Sequence, residues 1–209
     1  MARAAWILLL AAALAAQTRE QLDFVKAAEA GDAKRVRQFL DAGADPNLPK
    51  SFSAFEAACA GSLPEVVEIM LDRGADVHRR DSAGRTPLNL LAQTAVGDRR
   101  ENSAEVARLL IRAGADVNAQ EDTFRNTPLH DAPEAATAQV LIAAGADINR
   151  RNGEGRTPLM LTLDPDVAAV LLRAGADKTV RDNRGRTALD LAREFELTEK
   201  IALLKKRRP

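Results

Sequence analysis

Gly145-Ala146-Asp147-Ile148-Asn149 is one of five versions of a single word in this chain. The others are Gly43-Ala44-Asp45-Pro46-Asn47, Gly74-Ala75-Asp76-Val77-His78, Gly114-Ala115-Asp116-Val117-Asn118 and Gly175-Ala176-Asp177-Lys178-Thr179. Their glycines lie 31, 40, 31 and 30 residues apart, a period that marks a stacked repeat architecture rather than one globular core. A second word keeps step with the first: Thr86-Pro87-Leu88, Thr127-Pro128-Leu129, Thr157-Pro158-Leu159 and the variant Thr187-Ala188-Leu189. Thr suits the residue that caps a helix, and Pro suits the first helical position, where no N–H is needed. The Gly of the first word suits the left-handed residue that ends a helix.

Counted back from each of these glycines, position minus seven holds Val36, Val67, Ala107, Ala138 and Ala168. Positions minus four and minus three hold Phe39-Leu40, Met70-Leu71, Leu110-Ile111, Leu141-Ile142 and Leu171-Leu172. Such spacing makes one apolar helical stripe per repeat, which only a neighbouring repeat can bury. Polar stretches such as Arg80-Asp81-Ser82-Ala83-Gly84 and Arg181-Asp182-Asn183-Arg184-Gly185 predict hairpin-like turns between repeats.

On the Gly-Ala-Asp and Thr-Pro-Leu words, the chain resembles the ankyrin-repeat proteins from about Leu22 onward. The resemblance implies an all-α solenoid of about six helix-turn-helix repeats with hairpin-like finger loops. The boundaries expected are about 22–47, 48–78, 79–118, 119–149, 150–180 and 181–209, within a repeat domain of 17–209. The first repeat lacks Thr-Pro-Leu and is rich in charge, as a cap facing water should be. Ser53-Ala54-Phe55 stands for the opening word in the second, and Ser62-Leu63-Pro64 opens its second helix.

The interval from Leu88 to Gly114 is 26 residues, against 19 from Phe55 to Gly74, so an insertion of polar character falls within 93–104. A tolerated surface loop and a partner-touching loop are both open readings of it. Leu129 to Gly145 and Leu159 to Gly175 are only 16 residues each, with Pro133 and Pro165 where the helices should meet. Roughly a turn of helix is expected to be missing there.

Residues 1–16 form a separate segment: Arg3, then an apolar run from Ala4 to Ala16, then polar Gln17-Thr18-Arg19-Glu20. This order predicts a signal peptide cleaved after Ala15 or Ala16, and hence an exported, bacterial-type protein of the periplasm or the medium. The run is short for a membrane span, so no stable span is expected once it is processed. Basic and acidic residues number 30 each, and the mature chain would have Phe as its only aromatic. Neutral charge and the lack of stacking platforms argue against a nucleic-acid partner. The single cysteine, Cys59, allows no internal disulfide and reads as a small packing residue.

No catalytic constellation survives inspection, so no enzyme, cofactor or metal site is expected. His78 stands in a finger, and His130 completes Thr-Pro-Leu-His, where an imidazole ties turns together. Asp164-Pro165-Asp166 reads as a helix cap rather than a metal site. Basic residues at 205–208 complement the final helix dipole.

The resemblance implies recognition through fingers and first helices. The candidate finger residues are Arg79, Arg80, Phe124, Arg125, Arg150, Arg151, Arg181 and Arg184. The candidate first-helix positions are Glu56, Asn89, His130, Met160 and Asp190. A row of finger Arg fits an acidic stripe on a protein partner; equally, it can pair locally with Asp81, Asp122 and Asp182. The expected function is a monomeric, non-enzymatic interaction module of the cell envelope, acting as adaptor, protector or inhibitor. A secreted host-directed effector, or a membrane-tethered scaffold if 1–16 stays attached, are the alternatives.

Overall fold

The computed structural model describes residues 19–48, 53–94 and 102–206. Among these residues the only regular structure is helical, and most of it comes in successive helix pairs. The pairs are α1 (19–30) with α2 (Ala33–Asp41), α3 (Ala54–Ala60) with α4 (Pro64–Leu71), and α5 (Pro87–Thr94) with α6 (Ser103–Arg112). After a non-helical turn come α7 (Ala135–Ala143), then α8 (Pro158–Leu161) with α9 (Pro165–Arg173), and α10 (Ala188–Glu194) with α11 (Thr198–Lys205). First helices pack on first helices, α3 on α5 and α8 on α10. Second helices form the other layer, α2 on α4, α4 on α6, α6 on α7, α7 on α9 and α9 on α11.

The repeated word can now be explained letter by letter. Gly145 has φ of 92°, and its N–H reaches the Ile142 carbonyl while that of Ala146 reaches Leu141. This pair of bonds satisfies the last carbonyls of α7, and it recurs after α2, α4, α6 and α9. The Asp of each word then accepts the N–H two residues on, so that Asp147 Oδ1 holds Asn149 N at 3.0 Å. The closing Asn reaches the next repeat. Asn118 donates to the Gly145 carbonyl and accepts from Asp147 N, and Asn47 does the same with Gly74 and Asp76. His78 replaces this Asn in the second word and makes no such clamp.

The predicted stripe is the core. Position minus seven is 0% exposed in all five repeats, and Met70, Leu110, Leu141 and Leu171 at minus four are equally buried. Phe39, at minus four in the terminal repeat, is only half-buried and lies against Phe24 and Arg35 instead. Cys59 is buried in α3 among small residues, and burial, with Glu56 adding to it, holds its thiol well above the ordinary range.

The shortened repeats lose more than a turn. In the fourth, residues 128–131 form only a turn where a first helix belongs, and in the fifth α8 lasts four residues. Each break has a proline four residues beyond it, Pro133 after Leu129 and Pro165 after Leu161. A proline ring cannot follow in a helix because it clashes with the carbonyl four residues back and donates no N–H. Residues 1–16, most of the 93–104 insertion and residues 207–209 lie outside the described residues.

Candidate functional site

The fingers form hairpin turns, closed by bonds such as Asn152 N to the Arg156 carbonyl and Gly155 N to the Asn152 carbonyl. Three of them are joined to the preceding finger. Asp122 N donates to the Ala83 carbonyl, Gly153 N to that of Phe124 at 2.7 Å, and Asn183 N to that of Glu154. Asp81 and Asp182 sit inside their turns, where burial works against their charge but bonds from Arg85 and Arg186 and from turn N–H groups outweigh it. Both carboxyls therefore titrate below the usual carboxylate range. Glu121 replaces this Asp in the fourth finger, and its longer side chain caps Thr123, Phe124 and Asn126.

Most finger arginines are spent within this edge. Arg80 donates to the carbonyls of Gly84 and Gln120, and Arg151 to those of Gly155 and Arg181. Arg125 and Arg150 share the Gln120 side chain, and Arg181 donates to the Gly185 carbonyl. These bonds go to carbonyls and side-chain amides rather than to Asp81, Asp122 or Asp182. Arg184 and Phe124 are exposed, Phe124 by 56%. Arg79 differs in kind: its Nε lies 3.2 Å from Glu56 Oε1, and the pair is largely enclosed, at 13% and 0% exposure.

The first-helix candidates are caps. Glu56 accepts from Ser53 N, Asn89 from Thr86 N and Oγ1, and Asp190 from Thr187 N and Oγ1. Glu56, Asn89, His130 and Met160 are buried, and Asp190 is half-buried. A position three residues after a Ser or Thr cap is turned inward by the bonds it makes. His130 accepts at Nδ1 from Thr127 N, so Nε2 carries the proton and donates to the Arg156 carbonyl at 3.1 Å. Burial lowers its pKa to about 4, leaving it neutral. Met160 offers no polar atom, and Thr157 Oγ1 is buried without a hydrogen-bond partner.

Where the two shortened repeats leave out helix, a notch of about 560 Å³ opens. Asp131 lines it, accepting from Gln93 Nε2 and Asn126 Nδ2, and burial raises its carboxyl above the ordinary range. Glu154 and Arg156, both in its lining, pair at 2.8 Å, and Leu163, 64% exposed, stands on the rim with Phe124. Of the sequence candidates, only Phe124 and His130 meet here. Asp131, Glu154, Arg156 and Leu163 were missed. The two 16-residue intervals were the signal that could have found them. Behind the notch, the Lys200 amine is buried and donates to the carbonyls of Met160 and Thr162, groups that the truncated α8 leaves open.

A family model described as "Ankyrin repeats (3 copies)" matches residues 24–121, 54–152 and 94–182. The chain is 35% identical over 96 residues to mouse protein phosphatase 1 regulatory subunit 27, covering 44% of this chain and 57% of that protein. It is 36% identical over 106 residues to mouse ankyrin repeat and SOCS box protein 16, covering 49% of this chain and 23% of that protein. With mouse 2-5A-dependent ribonuclease it shares 36% identity over 66 residues, 30% of this chain and 9% of that enzyme. The chain thus spans little more than half of the first of these proteins and a small part of the others. Matched over most of its described residues, the chain belongs to the ankyrin-repeat family, whose repeats are in general a non-catalytic interaction domain.

Proposed function

We propose that this protein is a non-enzymatic protein-interaction module of adaptor type, binding a protein partner through the finger edge and the notch beside it. One observation carries the reading: four fingers are joined by backbone bonds into one pre-ordered edge, on which Phe124, Arg125, Arg150, Arg151, Arg181 and Arg184 are exposed. A surface ordered before binding loses little conformational freedom on contact. Likeness to a protein named as a regulatory subunit supports the adaptor role.

The order of residues 1–20, basic then apolar then polar, supports export to the envelope or the medium as a chain of residues 17–209. No helix among the described residues is long and apolar enough to cross a membrane.

The test is affinity capture with two baits, read by mass spectrometry. One is the native protein; the other carries Arg125, Arg150 and Arg184 changed to Glu. Arg79 is left in place because it neutralises buried Glu56. A partner held by the native bait and lost by the variant supports binding through the fingers, with an acidic stripe on the partner. A partner held equally by both moves the contact away from those arginines. A folded bait that captures nothing from envelope or medium counts against the module. Intact mass of the protein made in a bacterium tests removal of residues 1–16.

A further inference from the structure

The notch is a feature that the repeat frame does not explain. Two stacked first helices would normally fill this space; here a turn and a four-residue helix leave it open. Its volume, about 560 Å³, is that of a side-chain pocket rather than a packing defect. Two of the four exposed large hydrophobic side chains among the described residues, Phe124 and Leu163, stand on its rim. Apolar groups of that size beside a cavity are a mark of contact surfaces.

The charge inside is one-sided. Asp131, Glu154 and Asp164 line the notch against a single cation, Arg156, and His130 is neutral. Arg156 is already outnumbered, since its Nε also faces Asp182 at 3.6 Å. Asp131 accepts only two neutral amide bonds, and no cation pairs with it among the described residues. An anion would meet three carboxylates here, whereas a cation would relieve them. A guanidinium suits the place better than an ammonium. Its flat face can rest on the Phe124 ring while its paired N–H groups meet a carboxylate.

We propose that this notch is the docking site for an arginine side chain on an exposed loop of the partner protein, its guanidinium meeting Asp131 and Glu154 and its apolar neighbours covering Phe124 and Leu163. The proposal rests on the interaction-module reading and places one contact of that module. It also reverses the expected sign of the partner at this point: basic in the notch, whatever faces the finger arginines.

The test is a nuclear magnetic resonance titration of the full chain with two peptides, acetyl-Gly-Leu-Arg-Leu-Gly-amide and the same peptide with citrulline for arginine. The pair match in size and differ in charge. The expected result is that the arginine peptide shifts the amides of Phe124, Asp131, Glu154 and Leu163 and binds at least about tenfold more tightly than the citrulline peptide. Asp131→Asn should weaken the arginine peptide about five- to tenfold and leave the citrulline peptide unchanged. Should that variant unfold, Glu154→Gln on the exposed rim must show the same selective loss. Equal affinity for both peptides overturns the proposal. Shifts at finger amides with none at Asp131 or Leu163 overturn it and leave the module reading standing. No shift at any amide of the folded protein overturns it too, and the capture experiment then judges the module separately.

Discussion

His130 Nε2 donates to the Arg156 carbonyl at 3.1 Å, which ties the turn of the fourth repeat to the finger of the fifth. Its Nδ1 accepts from Thr127, so the neutral ring satisfies both sides and the charged ring could not. Burial holds the folded-state pKa at about 4, against 6.5 for the free side chain. Between those values the unfolded chain binds the proton and the folded chain does not. The stabilising effect is thus complete above pH 6.5 and lost as pH falls toward 4, an effect on the order of 3 kcal/mol. His130→Asn, which copies the Asn89 cap, should flatten that part of the profile. Urea midpoints of both proteins at pH 7 and pH 4.5 check this, and parallel losses in the two would refute it.

Arg79 and Arg150 are both finger arginines, yet their removal should differ sharply. Arg79→Leu removes the counter-ion of buried Glu56, at a cost of about 3–5 kcal/mol. Arg150→Ala removes an exposed bond to Gln120 and should change stability by less than about 0.5 kcal/mol. Chemical denaturation measures both.

His78 stands where Asn47 and Asn118 clamp the following repeat. His78→Asn should restore bonds to the Gly114 carbonyl and Asp116 N–H and stabilise the protein by about 0.5–1.5 kcal/mol. A higher melting temperature is the expected result, and an unchanged one would show that the longer third repeat misplaces the acceptor.

Lys200 meets the Met160 and Thr162 carbonyls from inside the stack. Lys200→Met should leave those carbonyls unsatisfied and cost about 1–3 kcal/mol. Burial lowers the amine to about 8 from 10.5, so the unfolded chain holds the proton between those values and the native protein gains stability as pH rises through them. The gap between native protein and variant should therefore widen from pH 8 to pH 10.

The fold was legible because each letter of the word performs a local task. The glycine in Gly145 supplies the left-handed residue, Asp147 closes its own turn, and Ala138 and Leu141 mark the stripe. Local conformation and period are written residue by residue, and they survive transfer from one repeat to the next. The caps were legible too: Asp164 accepts from Asp166 N and Val167 N as expected.

The site was legible only in part, because side-chain employment depends on what the neighbouring repeat offers. Nothing within the sequence of Arg79 separates it from Arg150; one meets buried Glu56 and the other an exposed amide. Nor does Asp131 stand out along the chain. It becomes a lining carboxylate because Pro133 and Pro165 stop two helices, bringing Gln93, Asn126 and Glu154 to one opening. Sequence alone determined the repeat, its period and its caps, since these follow from backbone preference and apolar spacing. Tertiary stacking decided which polar groups are spent within the frame and which face the notch, since hydrogen bonds and charges are settled by proximity across some 30 residues of chain.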